Sequence, residues 1–270
     1  MFDLIDESGE ELENFGYKKK RMSKYGISSL SLKIDEDKKA KKWGMKQGEY
    51  YILNCPNFYS FGIECYFYIT TLLRKKLREL IKKEKAGKGK VLVVGLGNPD
   101  IVSDRLGKEV FDQMEINPLS KKSKVIKFCP NIFFLTGIDT MKMVKMIVDE
   151  FKIKLVLIID SLTTQNINRL GSSFQITTSG ITPGSGLNRF GKMIDKKTIG
   201  ASCISIGVPF MIFSNNATEN FAEEKVLTLK DARENVETCG YIIANAISEA
   251  IKWIIIFWYH FFWFQYVSYL

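Results

Sequence analysis

Histidine is almost absent from this chain: one residue, His260, in 270. A Ser-His-Asp or Cys-His site needs an imidazole to take the nucleophile's proton, and a zinc hydrolase usually takes a histidine ligand. Hydrolytic chemistry in the body of the chain is therefore left to carboxylates, lysines or an amino-terminal amine. Five cysteines, Cys55, Cys65, Cys129, Cys203 and Cys239, are odd in number, and none are paired at C-x-x-C spacing. Neither a structural zinc site nor a disulfide framework is indicated, and no metal or other cofactor is expected. No basic leader followed by an apolar run opens the sequence, so an intracellular, reduced protein is expected.

What is present in excess is positive charge. Lys and Arg total 39 against 30 Asp and Glu, a formal charge of +9. These bases are dispersed or sit in short clusters, which suits a solvated surface and predicts no direct nucleic-acid partner. With 46% hydrophobic residues the chain can bury a sizeable core. Three stretches divide it: an N-terminal segment 1–26, a body 27–252 and an apolar tail 253–270. The first sixteen residues are acidic and the next eight strongly basic. They read as a solvated terminus, or as a removable segment that docks on a basic surface.

Within the body, strands and helices alternate. Ile27–Ile34 and Tyr50–Leu53 suit strands, and apolar residues recur at helical spacing over Phe61–Lys83. Lys82–Lys90 is a glycine-containing linker. Val91–Val94, Leu155–Asp160 and Cys203–Val208 are buried strands, the last punctuated by Pro209. Val125–Phe128 and Phe133–Leu135 read as short strands. Helices are predicted from Ser103 to Met114 with Ser103 as cap, over Asp139–Phe151, and over Thr228–Lys252 with Thr228 as cap. The pattern predicts an α/β fold, a doubly wound, mainly parallel sheet flanked by helices. Right-handed crossovers then set the carboxyl ends of the strands along one edge, where ligands bind.

That edge collects the residues with chemistry. The stretch VLVVGLGNPDIVSDRLG, Val91–Gly107, is a buried strand, a turn at Gly95, Gly97 and Asn98, then Asp104. A dinucleotide fingerprint needs a third glycine where Asp100 stands, and Asp100 and Asp104 would repel phosphate from the helix start. Asp160 closes the strand LVLIID. Burial would raise its pKa, a neighbouring Asp104 would raise one of the two further, and the pair would titrate as a unit. An acid and a base side by side can activate water and protonate a leaving amine. The plain alternative is that each aspartate caps a turn or helix. The Pro-Gly-Ser-Gly turn with Gly184, Ser185 and Gly186 could offer N–H groups to an oxyanion or a peptide, or be an ordinary surface turn. Asp160-Ser161-Leu162 lacks the glycine of a pepsin-type signature.

Taken together, VLVVGLGN…DRLG, FFLTGIDT, LVLIIDSL, FQITTSGITPGSG, TIGASCISIGVP and VLTLKDARENVETCGYIIANAI resemble, in order, the spore germination protease family. The likeness runs from about Ile27 to Ile251. It implies an atypical aspartic endopeptidase that degrades small acid-soluble spore proteins, is made as a zymogen, and works as a homotetramer in the forespore or spore-core cytoplasm. It also implies an α/β core similar to hydrogenase maturation proteases, with Asp104 and Asp160 as the catalytic pair. The chain departs from the family pattern at Pro99-Asp100, Ser103, Arg105 and Thr178-Ser179. An Arg105 guanidinium beside Asp104 would lower that carboxylate's pKa.

Two other readings follow from the same residues: a hydrogenase-maturation-type protease, and a non-catalytic homologue that binds spore proteins. The tail, WIIIFWYHFFWFQYVSYL, lies beyond the family's usual end. Membrane contact, packing on a partner, and a non-native extension all fit its composition.

Overall fold

The computed structural model describes residues 17–36, 40, 45–86, 89–115, 124–184, 191–213 and 226–267, with backbone alone beyond Lys252. The acidic stretch 1–16, and Ser185 and Gly186, lie outside the described residues. In chain order the elements are β1 (Lys18–Arg21), β2 (Ser28–Ile34), β3 (Gly48–Asn54), α1 (Gly62–Lys83), β4 (Lys90–Gly95), α2 (Leu106–Gln113), β5 (Val125–Phe128), α3 (Phe133–Thr136) and α4 (Thr140–Phe151). There follow β6 (Ile153–Thr164), β7 (Ser173–Thr177), α5 (Lys196–Ile199), β8 (Ser202–Phe213), β9 (Val226–Leu227) and α6 (Ala232–Val267).

The strands form one mixed sheet in the order β1-β2-β3-β7-β8-β6-β4-β5, with β9 alongside β8. Neighbours among β5, β4, β6 and β8 are parallel, and the remaining pairs are antiparallel. The aliphatic runs of β4, β6 and β8 are buried because both sheet faces are covered. One face packs on α1, α2 and α6 through residues such as Leu73, Leu77, Val110, Ile243 and Ile247. The other packs on α4 and α5 through Val144, Val148 and Ile199. The α/β architecture flanked by helices is as expected; the sheet is mixed rather than mainly parallel, and its four parallel strands bear the edge of the two aspartates.

Several local expectations change. Asp160 does not end its strand: β6 runs on to Thr164 because β8 pairs beside it as far as Ile212. Pro209 does not stop β8 either. Leu162 faces Pro209 and Thr163 faces Met211, so Phe210 is the extra residue of a bulge, which tolerates a residue without an N–H. Phe133–Leu135 is not a strand but the start of the short helix α3, closed by Gly137 at φ 68°. Ser103 lies inside a 3-10 turn, Val102–Asp104, rather than capping α2. Thr228 donates its hydroxyl to the Phe210 carbonyl at 2.7 Å, and α6 begins at Ala232. The apolar stripe of α1 is also narrower than its spacing implied: Ile63 and Phe67 are about half exposed. β1 and β7 are strands that the sequence reading did not predict; β1, KKKR, is wholly exposed on an edge.

Candidate active site

The parallel strand order β5-β4-β6-β8 contains a switch point. From β4 the chain crosses one way to β5 through α2, then returns past β4 to β6 through α4, so the two helices fall on opposite faces. The carboxyl ends of β4 and β6 therefore open a crevice between their diverging connections. Gly95 stands beside Ile159 in register, and Leu96 N–H donates to the Ile159 carbonyl at 2.8 Å. On the far side, Leu106 N–H donates to Ser161 Oγ at 3.4 Å. The segment Ile159–Ser161 is thus tied both to the turn after β4 and to the first residue of α2.

Those ties set the backbones of Asp104 and Asp160 along the same edge of the sheet. Asp104 is half-buried, and its Oδ2 accepts the Asn98 N–H at 2.9 Å. The Asn98 side chain in turn accepts the Asp100 N–H at 2.9 Å, which fixes the turn. Asp160 is 7% exposed, and its Oδ1 accepts the Ser161 N–H at 3.0 Å. Because Ser161 points towards α2, alternation along the strand turns Asp160 to the other face. Level with it stand Gly207 on β8 and, one strand further, Gln175 on β7. Gly207 carries no side chain, and the Leu162 side chain fills the space that a Cβ there would take, between Asp160 and the buried Gln175.

The glycines have a packing task. A Cβ on Gly95 would overlap the Gly107 carbonyl, and one on Gly97 would overlap the Asp104 carbonyl. Gly97 also holds φ at 101°, which L residues rarely adopt. The turn and the chain entering α2 are therefore stacked backbone on backbone, which is what sets Asn98 against the Asp104 carboxylate. Arg105 forms its ion pair with Glu109 at 3.5 Å. Among the described residues, no group of three or more His, Cys, Asp or Glu is placed to hold a metal ion.

A profile of the germination protease family matches residues 3–227. The chain belongs to that family. The germination protease of Caldanaerobacter subterraneus subsp. tengcongensis is 27% identical over 241 residues, covering 86% of this chain and 74% of its own length. That of Bacillus licheniformis is 30% identical over 231 residues, covering 78% and 60%. A solved NiFe hydrogenase maturation protease, HycI of Thermococcus kodakarensis KOD1, is similar over 63% of this chain and 97% of its own, at 19% identity and a TM-score of 0.37.

In this member of the germination protease family, the structure groups Asp104, Asp160, Gly95, Gly97 and Asn98. It leaves Gly184 apart from them. β7 runs antiparallel to β8, so the chain leaves it towards the amino ends of the parallel strands, and Gly184 follows the Ile181–Ile194 bridge there. Two features were missed from the sequence. Gln175 lies in FQITT, whose alternation is a strand signal, but its level with Asp160 is a matter of register alone. The other is a rim of apolar side chains. Ile101, Phe133, Leu135, Ile138 and Ile167 are between 44% and 60% exposed, on the segments that follow β4, β5 and β6.

Proposed function

We propose that this germination protease family member is an endopeptidase of aspartic type, with Asp104 and Asp160 sharing one proton across a bound water. The ionised carboxylate takes a proton from the water, and the resulting hydroxide attacks the peptide carbonyl carbon. The protonated partner hydrogen-bonds the carbonyl oxygen as charge develops there. Collapse of the tetrahedral adduct breaks the C–N bond, and the carboxyl that gained the water's proton delivers it to the leaving amine. Buried surroundings strengthen each of these interactions relative to water. The observation that carries the reading is the double tie on Ile159–Ser161, to Leu96 on one side and Leu106 on the other, which sets Asp160 beside the turn holding Asp104.

The proposed substrates are small acid-soluble spore proteins, cleaved in the spore-core cytoplasm during germination. The exposed apolar rim on the segments that follow β4, β5 and β6 supports a polypeptide substrate, because it offers contacts on either side of the acids to an extended chain. Synthesis as a zymogen, with the acidic N-terminal stretch as the removed segment, and assembly as a homotetramer belong to the same proposal. The test compares initial cleavage rates of a small acid-soluble spore protein by the processed chain, Asp104→Asn and Asp160→Asn. Each substitution is expected to slow cleavage roughly 10²- to 10⁴-fold while leaving the circular dichroism spectrum intact. Equal rates for wild type and Asp160→Asn would refute the assignment.

A further inference from the structure

We propose that the edge of the molecule opposite the aspartates is a docking face for an anionic lipid bilayer, with the end of α6 as the inserted element. This inference is independent of the hydrolytic reading. Its first ground is the course of α6. Cys239 lies by Tyr59, ahead of α1, whereas Glu249 meets Arg74 and Arg78 in the second half of α1, so the two helices run side by side in the same direction. α1 ends at Lys83, near the amino ends of the parallel strands, where Glu84 accepts from Ser202 at the start of β8. α6 continues to Val267, on the order of ten residues or ~15 Å past its partner.

The sequence of that extension is the second ground. Residues 253–270 contain no Asp, Glu, Lys or Arg, and ten of the eighteen are Trp, Tyr or Phe. A helix that is apolar all round has no single stripe for a protein groove, whereas lipid solvates every side of it. Trp and Tyr, with an apolar body and a polar tip, suit the headgroup level of a membrane.

The third ground is charge around the exit. Exposed lysines at this end come from separate elements: Lys82 and Lys85 at the end of α1, Lys90 opening β4, Lys154 in β6, Lys197 in α5, and Lys252 on α6 itself. Three acids at the same end are engaged. Glu49 and Glu79 pair with Lys76 and Lys83, and Glu84 pairs with Lys196. A lysine collar at the base of an apolar aromatic helix fits anionic headgroups. Docking by this edge leaves the Asp104–Asp160 edge and its apolar rim facing away from the membrane.

The test is flotation of the full chain with vesicles of phosphatidylcholine alone or with about a quarter phosphatidylglycerol. Binding is expected to be at least about tenfold tighter to the anionic vesicles and to weaken with added salt. Three of the four tryptophans, Trp253, Trp258 and Trp263, lie in the extension, so their emission should shift to the blue on binding. The surface variant Lys82→Gln/Lys85→Gln/Lys252→Gln should lose most of the anionic preference while keeping its thermal midpoint. Phe257→Ser/Trp258→Ser/Phe261→Ser should abolish both flotation and the emission shift. Failure to float with either vesicle overturns the proposal, as does an extension that self-associates in sedimentation without engaging lipid. Equal binding to both vesicle types overturns the lysine collar.

Discussion

At Gly97 a missing side chain positions a present one. The carbonyl of Asp104 occupies the space a Cβ would need, and φ of 101° strains any L residue put there. Gly97→Ala must separate the turn from the start of α2, which undoes the Asn98-to-Asp104 hydrogen bond. A destabilisation of about 2–4 kcal/mol is expected in urea unfolding, with cleavage activity lost even where the fold survives. Tyr59 is a second sensitive residue: its hydroxyl donates to the Gly171 carbonyl at 2.7 Å and lies 3.4 Å from Cys239 Sγ. Burial pushes its phenol pKa upward. Tyr59→Phe leaves a buried carbonyl short of a donor and is expected to cost about 1–3 kcal/mol by the same measurement. Asp104 and Asp160 stood out in the sequence as acids following aliphatic runs. The role of the glycines beside them did not, because the backbone they let approach, that of Asp104 and Gly107, is set only by the packed chain.

Elements show where local pattern suffices. α4 carries Asp139 at its cap, accepting the Lys142 N–H at 3.2 Å, and an apolar side at Val144 and Val148. Both features are within reach of a single-sequence reading, and the helix spans Thr140–Phe151 as that reading requires. Asp139→Ala should cost about 1 kcal/mol of stability in urea unfolding. β6 and β8 are the opposite case. Their length is set by each other: without β8 alongside, SLTT after Asp160 has no aliphatic run to mark it as strand, and Pro209 reads as a stop. The bulge that absorbs Pro209 exists only in the pair. Phe133–Leu135 was misread for a related reason, since three apolar residues fit a short strand or a helical turn equally well.

At the scale of the whole molecule, burial governs how stability varies with pH. The thiols of Cys203 and Cys239 and the phenol of Tyr51 are each pushed up to about 12, in every case chiefly by burial. The folded chain therefore keeps protons that the unfolded chain releases above about pH 8.5–10. Unfolding in that range releases protons, so stability is full below it and declines as the pH rises towards about 12. Thermal unfolding between pH 8 and pH 11 should show a midpoint falling with pH; a flat profile would contradict this. The same burial protects the thiols. Cys129, only half-buried, should react first with a thiol reagent at neutral pH, and Cys55, Cys65, Cys203 and Cys239 only after denaturant is added.

The sequence by itself determined the class of fold and excluded one class of chemistry. One histidine in the whole chain removes imidazole catalysis from its body. Aliphatic runs broken by glycine or acid, alternating with amphipathic stretches, require a sheet covered by helices. Both follow from side-chain type and spacing, which are local properties. Tertiary structure alone decided which residues meet. The order β5-β4-β6-β8 places a switch point between β4 and β6, and so sets Asp104 and Asp160, 56 residues apart in sequence, at one edge of the sheet. It sends the Gly184 turn the other way because β7 runs antiparallel, and it sets Gly207 and Gln175 level with Asp160. Strand order and register arise from contacts between distant segments burying their apolar faces together, and no local window of sequence contains both partners.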